Sequence, residues 1–186
     1  MKRRRLCLLL ALLFLSGAFG CWRWHERRER SQDKVILAAA RRYEVEPALL
    51  KAIVWRESRF NPQARGRAGE IGLMQIREAA AMEWAGAEHI TPFSHEQLVS
   101  PLTNTLAGAW YLKKLLKRYQ QTDNPIPYAL ADYNAGRSNV LRWNNEVAAT
   151  NSFAFTARVD FPGTRKYVQS IMRRYEHYRP IFKQAD

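Results

Sequence analysis

The sequence predicts a mainly α-helical domain with little or no β-sheet, preceded by an apolar N-terminal segment. Apolar residues recur at three- and four-residue spacing along most of the chain, which places them on one face of a helix. Prolines and capping side chains stand where these patterns begin. No two stretches alternate apolar and polar residues as paired strands do, although a small sheet could escape this test.

Residues 1–21 have the composition of a targeting or anchoring segment. A basic stretch, 2–5, precedes an apolar run from Leu6 to Gly20. This length suits a signal peptide and is short of the roughly 20 residues that a spanning helix needs. Small residues at its end suit signal peptidase, yet Cys21 follows directly and the run resembles a bacterial lipoprotein signal. A lipidated Cys21, an uncleaved membrane anchor and a released protein all stay open.

Residues 22–32 are charged and predict a short tether or a helical extension. The globular domain is expected over residues 33–186 and contains no cysteine, which rules out disulfides and cysteine-ligated metal sites there. The histidines are dispersed without ligand spacing, so no metal and no cofactor is expected. The net charge of +13 favours an acidic polymer as partner.

Three helices are predicted in the first half of this domain. Asp33 is placed to cap the first helix. Pro47 opens the second, because proline fits the first helical turn. Pro62 follows its end and begins a glycine-bearing loop. The third helix is predicted from near Leu73 to about Ala85.

The second half is predicted to be helical almost throughout. Four further helices are expected over residues 101–119, 125–136, 140–143 and 164–182. The helix that follows Ser100 is predicted to be the longest in the chain. The segment 152–161 comes nearest to a strand pattern, but it lacks a partner strand.

Glu57 belongs to the first of four motifs that contain the candidate site residues. It stands near the end of an apolar helix, just before the glycine-bearing loop. Alone it would mean little, because most glutamates near helix ends are solvated. Three further motifs follow it in order along the chain: GEIGLMQ at 69–75, ADYNAG at 131–136 and TRKYV at 164–168.

Together these motifs resemble the soluble lytic transglycosylase family, whose slt-type catalytic domain is related to goose-type lysozyme. The resemblance covers residues 43–175. It implies a helical, lysozyme-like fold and a substrate of peptidoglycan glycan strands, cut between N-acetylmuramic acid and N-acetylglucosamine. It implies that Glu57 is the catalytic acid. The residues that it implies for substrate binding or orientation are Ser58, Met74, Gln75, Tyr133, Asn134 and Tyr167.

The implied reaction needs a protonated Glu57, which gives its proton to the leaving glycosidic oxygen. An apolar setting, with Met74 as a suitable wall, would keep the acid neutral near pH 7. The resemblance implies that the N-acetyl group assists and that the 6-hydroxyl of the muramic acid attacks, so a 1,6-anhydro end forms without water. Tyr133 is a candidate to orient Glu57, and the amides of Gln75 and Asn134 to hold substrate groups.

Two of these residues have plainer structural alternatives. Asn134 is equally suited to capping the loop at Gly136. Tyr167 is equally suited to core packing of the last helix. Either side chain would then have no direct part in the chemistry.

Three positions depart from the family pattern. Gly66 stands where many relatives have a serine near the catalytic acid. Gly163 replaces an acidic residue that often precedes the Thr-Arg pair. Asp132 stands where alanine is commoner and raises the question of a second carboxylate, but helical geometry directs it away from a cleft faced by Tyr133.

Other functions remain in view. The chain is expected to be exported to the envelope, in the periplasm, attached to the membrane through the N-terminal segment or a lipidated Cys21. A hydrolytic muramidase and a catalytically inactive peptidoglycan-binding scaffold are the alternatives.

Nucleic-acid binding is not expected, because no recognisable binding motif is present. The oligomeric state is open, with a monomer as the default. Stem-peptide preference and internal versus terminal cutting are also open.

Overall fold

The computed structural model of the chain describes the backbone of residues 2–183 and the side chains of residue 10 and residues 14–182. Within these residues the chain is helical, and β-structure is limited to isolated bridges that join Arg65 to Ile71 and Ile71 to Ile76. The α-helices are α1 (Lys2–Arg30), α2 (Asp33–Tyr43), α3 (Pro47–Ser58), α4 (Glu78–Ala87), α5 (Pro101–Arg118), α6 (Pro125–Ala135), α7 (Arg137–Trp143), α8 (Ser152–Arg158) and α9 (Pro162–Lys183). Short 3-10 helices occupy His95–Val99 and Glu146–Ala149.

The N-terminal helix α1 runs unbroken across the predicted boundary at residue 21 and through most of the predicted tether. Cys21 is exposed on it. In the described part of the chain, no helix is both long enough and apolar enough to cross a membrane. The division of the chain at residues 21 and 32 stays a prediction.

Helix α3 forms the centre of the core and carries Glu57 in its last turn. It is buried along almost its whole length, from Ala48 to Val54. Its principal neighbours are α9 and α2, while α5 and α6 complete the packing around the core. Because α3 is surrounded, the direction in which Glu57 leaves it is fixed by packing on several sides.

Asp33 does not cap α2 as predicted. It is the first residue of the helix, and the cap position belongs to Gln32, whose side chain makes no capping hydrogen bond. The Asp33 carboxylate instead accepts a 2.6 Å hydrogen bond from Lys51 Nζ. Lys51 is only 2% exposed. Asp33 therefore neutralises a buried cation and does not cap the helix.

The segment after Leu73 is a loop, and the prediction of a helix start there was wrong. Helix α4 begins at Glu78, because three residues before it have positive φ: Gly69 at 82°, Gly72 at 80° and Gln75 at 50°. An α-helix cannot continue through such residues.

Segment 152–161, which came nearest to a strand pattern but lacked a partner strand, contains the helix α8. The prediction of the longest helix was wrong. The helix after Ser100 has 18 residues, and both α1 and α9 exceed it.

Candidate active site

Glu57 opens into a cavity of about 330 Å³ between α3, α6 and the loop before α4. The chain turns directly after it, because Arg59 at the C-cap of α3 has a left-handed φ of 52°. The residues that line the cavity are Glu57, Glu70, Gln75, Ile76, Arg77, Ala80, Tyr111, Asp132, Tyr133, Asn134, Ala135 and Gly136. Three of the four sequence motifs therefore line one cavity.

Glu57 is partly buried, and the Tyr167 hydroxyl donates a 2.5 Å hydrogen bond to its Oε1. Desolvation is the largest influence and raises the pKa of Glu57 to about 7, with a smaller rise from the charge of Glu70. The hydrogen bond from Tyr167 and the charge of Arg56 oppose that rise. Near neutral pH a large fraction of Glu57 is therefore protonated, as a proton donor requires.

Tyr133 does not make the predicted contact with Glu57. Its hydroxyl donates a 2.7 Å hydrogen bond to the backbone carbonyl of Met74, and Tyr167 from α9 is the tyrosine that reaches Glu57. The ring of Tyr133 still lines the cavity and lies 5.5 Å, centroid to centroid, from the ring of Tyr111. Tyr133 thus ties α6 to the loop before α4.

Met74 is fully buried and does not appear in the cavity wall, contrary to the expectation of a Met74 wall. Its side chain packs against Gly108 of α5, where a Cβ would collide with the Met74 sulfur. Gln75 does line the cavity, but its amide nitrogen donates to the carbonyls of Ala64 and Gly72 at 3.1 and 3.0 Å. Gln75 thus braces the loop while its side chain borders the cavity.

Asn104 is the residue that fixes this loop, and the sequence analysis missed it. It is fully buried, and its carboxamide bonds the Met74 N–H, the Ile71 carbonyl and the Leu98 carbonyl at 2.8, 2.8 and 3.0 Å. A polar residue on the buried face of α5 is the signal that could have found it, because a buried amide must be hydrogen-bonded.

Asn134 lies at the cavity and is joined to α9. The Thr164 hydroxyl donates a 2.9 Å hydrogen bond to its Oδ1, which links two sequence motifs directly. The contact is with α9, and it differs from the predicted alternative of a cap at Gly136.

Ser58 is buried and is not among the residues of the cavity wall. Its hydroxyl donates a 3.1 Å hydrogen bond to the Val54 carbonyl, one turn earlier in α3.

Asp132 is engaged elsewhere and does not serve as a second free carboxylate. Its side chain is 2% exposed and accepts hydrogen bonds from Arg118 Nη1 at 2.5 Å and from the Tyr119 hydroxyl at 2.7 Å. The cavity wall also contains Glu70, whose side chain is 18% exposed and forms an ion pair with Arg77. Glu70 was not among the residues predicted for the site.

The arrangement can deliver a proton to a group held in the cavity. One carboxylic acid has a pKa raised to about 7, so that a large fraction is protonated near neutral pH. A tyrosine hydroxyl fixes its orientation, and amides and aromatic rings surround the space beside it. Among the described residues no group of three or more His, Cys, Asp or Glu is placed to hold a metal ion. The chemistry that this site supports is therefore general acid catalysis.

Comparison with known proteins gives a consistent result. Residues 34–155 match the family described as "Transglycosylase SLT domain". The chain is 33% identical to the "Soluble lytic murein transglycosylase" of Escherichia coli strain K12 over 73% of this chain and 21% of that protein. It is 35% identical to the "Membrane-bound lytic murein transglycosylase C" of Haemophilus influenzae strain PittGG over 63% of this chain and 34% of that protein.

A solved structure is also similar, that of an inactive mutant of the lytic transglycosylase Slt from Pseudomonas aeruginosa. Its TM-score is 0.73 at 26% identity, and the match covers 81% of this chain and 24% of that one. The predicted mainly α, lysozyme-like fold is confirmed by this similarity. The chain spans between about a fifth and a third of the length of these three relatives.

Proposed function

Because the chain belongs to the transglycosylase SLT domain family, we propose that it is a lytic transglycosylase of peptidoglycan. It cleaves the β-1,4 bond between N-acetylmuramic acid and N-acetylglucosamine without water and leaves 1,6-anhydro ends. Glu57 acts first as general acid and then as general base. The names of the relatives support the substrate class, and the geometry around Glu57 supports the chemistry.

The observation that carries this proposal is the state of Glu57. Its pKa is raised to about 7, chiefly by desolvation, while Tyr167 holds one carboxyl oxygen at 2.5 Å. Among the described residues the other oxygen, Oε2, has no hydrogen-bond partner, so it is free to carry the acidic proton towards the cavity. A general acid with a pKa close to the working pH is well matched to proton transfer.

The proposed reaction balances with a single carboxyl group. Glu57 gives its proton to the bridging oxygen as the bond from C1 to that oxygen breaks, and the N-acetylglucosamine leaves with a hydroxyl. The carbonyl oxygen of the substrate's own 2-acetamido group supports the electron-deficient C1. The 6-hydroxyl oxygen of the muramic acid then attacks C1, and its proton returns to Glu57. Ordinary glycosidases divide these tasks between two carboxylates.

The neighbouring residues have supporting roles in this proposal. Tyr167 orients Glu57 and stabilises its ionised form after the proton has left. Tyr133 and Asn134 offer a ring and an amide to the sugar at the cavity wall. Gln75 borders the sugar site, while Ser58 and Met74 keep α3 and the loop in place from the buried side.

The test is digestion of purified sacculi with the full-length protein and with Glu57→Gln. Mass spectrometry of the released muropeptides is expected to show anhydro ends for the unchanged protein. The variant is expected to lose at least about a thousandfold in rate, because an amide cannot donate the proton. Glu96→Gln makes the same chemical change at an exposed position and is expected to retain full activity.

The alternatives give different products. Reducing ends in place of anhydro ends would identify a hydrolytic muramidase and contradict the lytic mechanism. No release by the unchanged protein, with retained binding to sacculi and unchanged cellular activity of Glu57→Gln, would identify an inactive scaffold.

We also propose that the protein works in the cell envelope, held to a membrane by α1 or by a lipid on Cys21. Large apolar side chains on α1 are 57% to 76% exposed at Leu10, Phe14, Leu15 and Phe19. Cys21 is exposed and free beside them. The similarity to a protein named as membrane-bound agrees with this location.

Cell fractionation with an alkyne fatty-acid label separates the three possible outcomes. A label that Cys21→Ser removes, with Cys7→Ser as the control, indicates a lipoprotein. Membrane retention without a label indicates an uncleaved anchor. Recovery in the periplasmic fluid contradicts membrane attachment.

A further inference from the structure

Glu70 places a further carboxylate in the cavity of Glu57, and the proposed mechanism gives it no task. Both residues line the same space of about 330 Å³, and Gln75 and Arg77 belong to the same wall. The Glu70 side chain is only 18% exposed. Solvent therefore screens its charge less than it screens a charge on the open surface.

The position of the Glu70 carboxylate is fixed by short local contacts. Its Oε2 accepts a 3.0 Å hydrogen bond from the Ala68 N–H, and its Oε1 accepts one of 2.9 Å from Arg77 Nε. The Gly66 N–H donates to the Glu70 carbonyl at 2.8 Å, which closes the turn below it. A carboxylate with this many anchors has little freedom to turn away from the cavity.

The same contacts keep Glu70 ionised. Desolvation is the largest single influence and by itself raises the pKa of Glu70. Hydrogen bonds from its own backbone N–H, from Arg77 and from Ala68 together outweigh it, so the pKa lies below its ordinary value. Near neutral pH Glu70 therefore carries a fixed negative charge in the wall of the cavity.

Gly66 is the residue that makes room for this charge. A Cβ at position 66 would collide with Glu70 Oε2 and would lie 3.0 Å from Gln75 Oε1. Any residue with a side chain there, serine included, would displace the Glu70 carboxylate. Gly66 and Glu70 therefore form a structural pair, so the departure noted at position 66 has its partner four residues further along the chain.

We propose that Glu70 is a positioning residue that acts through Glu57: a fixed anion in the wall of the same cavity that favours the protonated form of the general acid. Ionising Glu57 would add a negative charge to a small cavity that already contains the charge of Glu70, and the repulsion between the two opposes it. This proposal rests on the proposed role of Glu57. The titratable and charged groups that face Glu57 are Arg56 on α3, Tyr133 on α6, Tyr167 on α9 and Glu70 on the loop.

The effect of each of these groups on Glu57 has a definite sign. Glu70 raises the pKa of Glu57, while Arg56 and the hydrogen bond from Tyr167 lower it. Arg77, whose side chain is 66% exposed, partly neutralises Glu70 at the mouth of the cavity. Removing Glu70 and removing Arg77 should therefore move the pKa of Glu57 in opposite directions.

The decisive measurement is the pKa of Glu57 itself, which needs no substrate. Glutamate carboxyl carbons are labelled with ¹³C in the full-length protein in detergent, and Glu57→Gln identifies the resonance. Glu70→Gln is expected to lower the pKa of Glu57 by about 0.3 to 1, and Arg77→Gln to raise it by a smaller amount. Glu70→Asp keeps the charge and should restore most of the original value.

Activity provides the second readout. Because protonated Glu57 is the active form, the alkaline limb of the kcat/KM profile on sacculi should move to lower pH in Glu70→Gln. At a fixed pH on that limb the rate should fall about two- to tenfold, the same logarithmic range as the pKa change. Circular dichroism and thermal melting check that each variant folds.

Glu96→Gln is the matched control, because Glu96 also pairs with an arginine but is exposed and outside the cavity. An unchanged pKa of Glu57 in folded Glu70→Gln, or an equal change in Glu96→Gln, would overturn the proposal. A shifted pKa in a protein that releases no anhydro muropeptides would retain the electrostatic pairing and reject the proposed function instead.

Discussion

Two tyrosines, Tyr133 and Tyr167, were candidates to orient Glu57, and only one of them contacts it. Both lie in apolar helix patterns, and both carry a hydroxyl that could donate a hydrogen bond to a carboxyl group. In the fold Tyr167 reaches Glu57, while Tyr133 bonds the Met74 carbonyl. The choice depends on how α6 and α9 are rotated against α3, which no local pattern encodes. Glu57 itself was identifiable because four motifs in order along the chain resemble one family, and that order can be read without knowing how the helices pack.

Replacing Tyr167 with phenylalanine tests the contact at this scale. The hydrogen bond lowers the pKa of Glu57, so Tyr167→Phe should raise that pKa and move the alkaline limb of the rate profile to higher pH. The maximal rate should fall about 5- to 50-fold, because the carboxylate formed by proton transfer loses a donor.

The control for this variant is Tyr175→Phe on the same helix, whose hydroxyl bonds Glu46 rather than Glu57. That variant should leave the pH profile unchanged. A Tyr167→Phe protein with an unshifted alkaline limb would mean that the hydroxyl does not contact Glu57 in solution.

At the scale of elements, helix starts were predictable where proline marks them. Helices α3, α5 and α6 begin at Pro47, Pro101 and Pro125, because proline's fixed φ and missing N–H suit the first turn. The start of α4 was not predictable, since the loop before it is held by Asn104, which lies about 30 residues further along the chain. Long-range hydrogen bonds leave no periodic signal.

Asn104→Ala should therefore destabilise the fold and the cavity together. It removes three buried hydrogen bonds and leaves the Met74 N–H and two carbonyls unsatisfied. We expect a loss of about 2–4 kcal/mol in the free energy of unfolding, measured by chemical denaturation.

Asn145→Ala is the comparison for this loss, because the Asn145 side chain is exposed and donates a single 3.3 Å hydrogen bond to the Arg142 carbonyl. Its effect should stay within about 0.5 kcal/mol. Equal effects of the two substitutions would contradict the role assigned to Asn104.

For the whole molecule, the burial of Glu57 in the cavity makes the free energy of unfolding depend on pH. The pKa of Glu57 is about 7 in the folded protein and has an ordinary value of 4.5. The folded state therefore binds the proton more tightly, and this contribution to stability is complete below about pH 4.5. It is lost as the pH rises through 7, where folding requires a charged group in a desolvated site.

Glu57→Gln removes this titration, so the variant should gain stability relative to the unchanged protein as the pH rises. Denaturation at pH 5 and pH 8 should show a relative gain of about 1–3 kcal/mol, allowing for partial solvent screening of Glu57. A difference that is the same at both pH values would show that Glu57 is fully hydrated in the folded state.

Lys51, on the same helix as Glu57, allows the separation of α3 from its neighbours to be measured by chemical labelling. Its ammonium is enclosed by Asp33 and by the rings of Phe60, Tyr178 and Phe182. An amine-reactive reagent can reach it only when α9 separates from α3, in contrast to surface lysines such as Lys113, whose side chain is 43% exposed. The rate at which Lys51 becomes acylated therefore measures how often α9 separates from α3, the helix that carries Glu57 in its last turn.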